Sequence, residues 1–152
     1  MSLKINFKWK KFSELSLQEL YDALMLRQQV FVVEQECIFN DSDGFDKEAY
    51  HLLGYNHKKL VAYLRAFPPN ILYKGTSIGR IVIKDSLRKK NLGRDLTLRG
   101  INFLKSKYPD QDIYIGAQYR LKKFYNDIGF QDSGDIYIED DIEHIRMILK
   151  LN

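Results

Sequence analysis

Apolar and polar residues alternate across residues 4–10, with Ile5, Phe7 and Trp9 separated by lysines and an asparagine, the period-2 pattern of a half-buried strand. The period then changes. Ser16 with Glu19 reads as a capping box and Leu15 with Leu20 has hydrophobic-staple spacing, so a helix is expected to run from here to about Gln29. Residues 34–48 follow neither period and contain Asp43-Gly44, which predicts a loop. Residues 50–55 and 60–67 flank the polar turn Asn56-His57-Lys58 and predict an antiparallel hairpin, ended by Pro68-Pro69 because proline supplies no ladder donor. A strand is expected at 77–84, and a helix from Gly93 to about Lys107 through the spacing of Leu96, Gly100, Phe103 and Leu104. A short buried strand at 113–117 precedes a short helix at 121–128 closed by Gly129, and strands near 131–138 and 143–151 finish the chain. The order β-α-β-β-β-α-β-α-β-β predicts an α/β fold with a mixed sheet covered by helices. No repeat, low-complexity tract or linker interrupts it, so residues 1–152 are expected to form one domain.

Composition supports that expectation and narrows the function classes. At 152 residues, with 45% hydrophobic and 13% aromatic content, the chain can bury a substantial core. No apolar run reaches the roughly 18 residues of a membrane span, and MSLKINFKWKK lacks the features of a signal peptide. The expectation is a cytoplasmic protein beginning near Met1, with no membrane partner. The single cysteine, Cys37, excludes an internal disulfide framework and a cysteine-rich zinc site; it reads as a small half-buried apolar residue in a reducing compartment, and no metal is expected.

The net charge of +4 is segregated rather than spread. Residues 84–107 carry eight Lys or Arg against two acids, residues 34–50 carry six acids against one lysine, and residues 132–143 carry six acids and no base. That distribution is a poor nucleic-acid footprint, so no nucleic-acid partner is expected. A nucleic-acid-binding domain using the 84–107 stretch is a competing reading, opposed by the acidic segments.

Two segments carry candidate chemistry. In the first, Ile81-Val82-Ile83 runs into Arg88-Lys89-Lys90-Asn91-Leu92-Gly93-Arg94 and then a helix. Strand, tight loop and helix N-terminus together aim backbone N–H groups and a positive dipole end at one point, which suits a phosphate, with arginine adding bidentate contacts. The alternative is a solvated basic turn. In the second, Ala117-Gln118 precedes Leu121, Phe124-Tyr125 and Gly129-Phe130. Leu121, Phe124 and Ile128 fall on one helical stripe, and Tyr125 is read as lying off it, either as a core-edge tyrosine or as a proton donor. A tyrosine of ordinary pKa near 10 is protonated at neutral pH and can supply a proton to a departing thiolate. A phosphate cradle and a thiolate-protonating acid on adjacent strands suit a coenzyme A thioester.

These two motifs, in this order and context, resemble the signatures of the GNAT N-acetyltransferases. Arg88-x-x-Asn91-x-Gly93 corresponds to the family's Gln/Arg-x-x-Gly-x-Gly/Ala loop, and residues 124–130 to its Phe-Tyr-x-x-x-Gly-Phe helix. Val30 to Cys37, Asp43-Gly44-Phe45-Asp46, and Tyr137-x-Glu139-Asp140-Asp141-Ile142-x-His144 further resemble the ElaA-like branch. The resemblance implies a mostly antiparallel mixed sheet of about seven strands and transfer of acetyl from acetyl-CoA to a primary amine of a small molecule or peptide. It also implies that Ile81 and Ile83 hold the pantetheine arm through their backbone, and that the amides of Lys89, Lys90, Asn91, Leu92, Gly93 and Arg94 take the pyrophosphate. Phe124 would line the cofactor cleft and Tyr125 would be the general acid. Asn91 replaces a usual glycine, and asparagine is the residue most tolerant of a left-handed conformation after glycine, so a modified cradle is expected.

An amine acceptor arrives as an ammonium and needs a base. Glu34, His51, Glu139, Asp140 and His144 are candidates; Glu34, Gln35, His51, Glu139 and His144 are the expected acceptor-side residues. The histidines also have structural readings, and His57 belongs to a solvated turn. The two acidic segments read as solvated loops or, as the resemblance implies, would face the acceptor side of the cleft and attract a cation. A non-catalytic acetyl-CoA sensor of the same shape is the alternative, and a monomer or homodimer is expected.

Overall fold

The computed structural model describes residues 4–88 and 91–151. Strand β1 spans Asn6–Lys11 and leads through a 3-10 turn to helix α1, Leu17–Arg27. The capping box is present: Ser16 Oγ accepts from the Glu19 amide at 3.0 Å, and Glu19 accepts in return from the Ser16 amide at 2.9 Å. The helical path does not end near Gln29. It widens into a π-helical segment, Gln28–Glu34, which carries the chain one turn further than its apolar spacing predicts. The loop that follows contains a 3-10 turn at Asp46–Glu48.

Strands β2 (Tyr50–Asn56), β3 (Lys59–Phe67) and β4 (Thr76–Ile83) come next, then helix α2 (Leu92–Lys107), β5 (Ile113–Gln118), helix α3 (Lys122–Ile128), β6 (Gln131–Glu139) and β7 (Ile142–Leu149). They form a seven-stranded sheet in the order β1-β2-β3-β4-β5-β7-β6, antiparallel except where β4 meets β5. The observed order of elements is the one the hydrophobic periods predict.

Strand alternation divides the core into two layers. Leu52, Ala62, Leu64, Ala66, Ile78, Ile113, Ile115 and Met147 pack against Leu96, Ile101 and Leu104 of α2 and Tyr125 of α3. Leu53, Tyr63 and Val82 pack on the other face against Ala23 and Leu26 of α1 and Val30 of the π-helical segment. Helix α2 lies close to the sheet because residue 100 is glycine: a Cβ there would stand 2.9 Å from Leu64 Cδ1 and 3.3 Å from Ile78 Cγ2. No described helix is long and apolar enough to cross a membrane.

Candidate active site

Strands β4 and β5 pair only at Thr76 with Ile113 and Ser77 with Tyr114. The apex is pinned by Asp112, whose carbonyl oxygen accepts from the Thr76 amide at 3.0 Å and the Thr76 hydroxyl at 3.1 Å. Beyond it the strands part. β4 stays with β3 through a bulge at which Arg80 takes a φ of 48°, whereas β5 follows β7 as far as Gln118 opposite His144. The wedge between them is a cleft of about 640 Å³. Ile81, Ile83 and Arg88 line one side and Ala117, Leu121 and Tyr125 the other. Glu34, Gln35 and Cys37 approach from the π-helical segment and its loop, and Tyr137, Glu139, Asp140 and His144 from the β6–β7 hairpin.

At the β4 end of this cleft, Asn91 occupies the left-handed region at φ 57° and ψ 17°, the conformation its replacement of glycine demands. Its carbonyl accepts from the Asp95 amide at 3.1 Å, so α2 begins immediately after it and the first amides of the helix lack intrahelical partners. Lys89 and Lys90 lie outside the described residues. Arg88 donates to both Glu34 carboxylate oxygens and, at 3.2 Å, to the Ile83 carbonyl, so its guanidinium ties the loop to the π-helical segment. Leu92 and Gly93 are half-buried and Arg94 is exposed. Phe124 does not line the cleft; its ring packs edge-on against Tyr125 at 5.1 Å and approaches Gly93.

Tyr125 differs from its expected position off the apolar stripe. It is 8% exposed and is the buried residue of α3, while Leu121, Phe124 and Ile128 are only partly covered. The short helix sits in a corner where Phe130 closes a second side, its ring 5.8 Å from that of Tyr125. Burial pushes the Tyr125 hydroxyl up to about 12, so it stays protonated across the neutral range.

The acidic segment also departs from expectation. Its aspartates are consumed by arginines rather than left to attract a cation. Asp41 accepts from Arg27 at 2.8 Å and Arg80 at 2.7 Å, Asp46 from Arg27 at 2.9 Å and Arg65 at 2.8 Å, and Asp43 from Arg65 at 2.5 Å. Burial raises the Asp43 carboxyl, but Arg65 and then Arg80 outweigh it and draw the group down to about 2. His51, 1% exposed, belongs to this cluster and not to the cleft. Its Nε2–H donates to the Asp46 carbonyl at 2.8 Å and its Nδ1 accepts from the Tyr63 hydroxyl at 2.6 Å. Both nitrogens are engaged, and burial lowers its pKa further below the ordinary value, so the ring is a neutral strut.

Three of the expected acceptor-side residues do meet at the cleft alongside Glu34. Gln35 Oε1 accepts from Gln118 Nε2 at 3.2 Å across the opening, and Glu139 and His144 stand together on the hairpin. Cys37 Sγ–H donates to the Asp140 carbonyl at 3.2 Å, and burial raises its thiol pKa, which fits the reading of an inert residue. Sequence reasoning missed Arg27, Arg65, Arg80, Tyr73 and Tyr137. A charged residue inside an apolar run, as Arg65 is between Leu64 and Ala66, is the signal that could have found Arg65 and Arg80.

A seven-stranded mixed sheet opened between a parallel pair, with a helix N-terminus at its mouth, defines the acyl-CoA-dependent acyltransferase architecture of the GNAT class. Residues 17–151 match the acetyltransferase (GNAT) domain, and the chain belongs to that family. It is 40% identical to the UPF0039 protein sll0451 of Synechocystis over 98% of this chain and 97% of that one. It is 39% identical to ElaA of Escherichia coli over 89% and 90% of the two chains, and the solved ElaA structure superposes with a TM-score of 0.89. The structure of an acyl-CoA N-acyltransferase from Pseudomonas aeruginosa, 35% identical, superposes with a TM-score of 0.91 over 95% of this chain and 99% of that one.

Proposed function

We propose that this chain, acting as one catalytic domain, transfers acetyl from acetyl-CoA to a primary amine of a small molecule or peptide by direct attack. The observation that carries the reading is the wedge between β4 and β5 with the protonated Tyr125 hydroxyl in its wall. From Ile78 to Ile83, β4 has no neighbour on its β5 side, which leaves backbone donors and acceptors for an extended pantetheine arm beside Ile81 and Ile83. The left-handed Asn91 and the open amides at the start of α2 suit a pyrophosphate. In the reaction the amine nitrogen forms the new C–N bond, the C–S bond breaks, and Tyr125 gives its proton to the leaving thiolate and regains one from solvent or the acceptor nitrogen.

Arg88, paired with Glu34, is a cation beside this loop. The test is a screen of amines and peptides with acetyl-CoA, following free thiol and acetylated product. Tyr125→Phe is expected to lower kcat by about 10²- to 10⁴-fold, less if water substitutes, while coenzyme A affinity by calorimetry stays unchanged. Binding of acetyl-CoA with no transfer to any amine would favour a sensor instead, and wild-type turnover in the variant would remove Tyr125 from the chemistry.

A further inference from the structure

We infer that His144 Nε2 is the proton acceptor for the incoming ammonium, with Glu139 as the carboxylate that receives the ammonium and then holds the imidazolium; the inference rests on the acyl-transfer reading above. The ring's state follows from its neighbours. His144 Nδ1 lies 2.8 Å from the Ile142 carbonyl oxygen, which can only accept, so the proton of the neutral ring is on Nδ1. Nε2 therefore presents a lone pair. Among the described residues no donor reaches it, and its polar neighbour is Glu139 Oε2 at 3.7 Å.

The ring is also held in place. It stacks on Tyr137, its cross-strand partner, with centroids 5.6 Å apart and planes at 27°. Tyr137 lies over β5 because residue 116 is glycine: a Cβ there would stand 2.5 Å from the tyrosine hydroxyl. The groups around His144 are Tyr137 and Glu139 from β6, Arg146 further along β7, Asp140 and Asp141 at the turn, and Cys37 from the facing loop. Asp140 also lines the cleft, but as an exposed carboxylate at the turn, and Asp141 is likewise exposed. Burial, with smaller contributions from Tyr73 and Glu139, pushes the Tyr137 hydroxyl up to about 12, Cys37 donates to a carbonyl, and Glu34 is held by Arg88. Glu139 is 60% exposed at its side chain and stands as a solvent-facing carboxylate beside the ring.

The proton count closes. An ammonium R–NH₃⁺ gives one proton to Nε2, and the resulting amine attacks the thioester carbonyl. The second proton leaves nitrogen as the amide forms and balances the one that Tyr125 delivers to the thiolate. The imidazolium then returns its proton to solvent, so one proton is released per turnover.

His144→Gln and the wild type are assayed with acetyl-CoA and two probes: phenethylamine, which arrives protonated, and hydroxylamine, which is mostly neutral at neutral pH and needs no base. The variant is expected to lose about 10²-fold or more in kcat/KM for phenethylamine and only a few-fold for hydroxylamine. Coenzyme A affinity and the melting temperature should not move. NMR of the imidazole nitrogens should find the Nδ1–H tautomer at His144. Equal losses on both probes, unchanged rates on both, or an Nε2–H ring would overturn the assignment of the base alone. Wild-type protein that acetylates neither these probes nor any amine or peptide of the screen above would overturn the acyl-transfer reading and the base with it.

Discussion

Replacing Asp46 with asparagine keeps the side-chain shape and removes the charge that Arg27 and Arg65 share. Asp46 Oδ1 accepts from Arg27 at 2.9 Å and from Arg65 at 2.8 Å, and both arginines are almost wholly buried. With Asp41, Asp43 and Arg80 the cluster balances three cations against three anions; the substitution leaves one guanidinium charge without a counter-ion in a largely buried region. Two hydrogen bonds lose their anionic acceptor, at about 1 kcal/mol each, and the uncompensated guanidinium charge brings the total to about 3–5 kcal/mol. At about 2–4 °C per kcal/mol for a chain of this size, the melting temperature should fall by about 6–20 °C. Urea unfolding followed by circular dichroism gives the free-energy change directly. A loss below about 1 kcal/mol would refute the argument that the cluster depends on charge balance. The same cluster sets an acid limit. Asp43 is drawn from an ordinary 3.8 to about 2 and Asp46 is also lowered, so the unfolded chain binds these protons first. Their contribution is present above about pH 4 and is lost as pH falls toward about 2.

Two further substitutions test the close packing and the loop. Gly100→Ala gains about 1 kcal/mol of helix propensity but drives a methyl into Leu64 and Ile78, so a net loss of about 1–2 kcal/mol is expected in urea unfolding, and stabilisation would show that α2 can lift from the sheet. Asn91→Gly should bind coenzyme A as well as the wild type or better in calorimetry, because the left-handed conformation is easier for glycine and the asparagine side chain makes no capping bond; a large loss would mean that the amide itself touches the ligand.

The sequence shows the local parts of this molecule more clearly than the long-range ones. Ser16 and Glu19 specify their cap within four residues, and Asn91 announces a left-handed turn because its position asks for glycine. Element order follows from period alone. What periodicity does not carry is pairing at a distance. Asp41 meets Arg27 and Arg80 across 14 and 39 residues, so aspartates that read as free negative charge are paired once folded. His51 and His144 look alike as lone histidines on strands; only their neighbours separate a ring with two occupied nitrogens from one hydrogen-bonded through Nδ1 alone among the described residues. Tyr125 was misplaced because a seven-residue helix in a corner is covered on more than one side, and a single-stripe rule does not describe it.

The parting of β4 from β5 places open strand edges inside the molecule rather than on its rim. An unpaired strand edge on the outside of a sheet is a template on which foreign strands can grow. Here two such edges begin at Ser77 and Tyr114 and face each other between the layers of the molecule, with α2 and α3 on one side and the π-helical segment and hairpin on the other. A guest must be thin, extended and rich in amides to reach them, which a neighbouring sheet is not. The chain can thus keep unsatisfied backbone available for recognition without exposing it to aggregation, and the selection of guests begins with shape before any side chain is consulted.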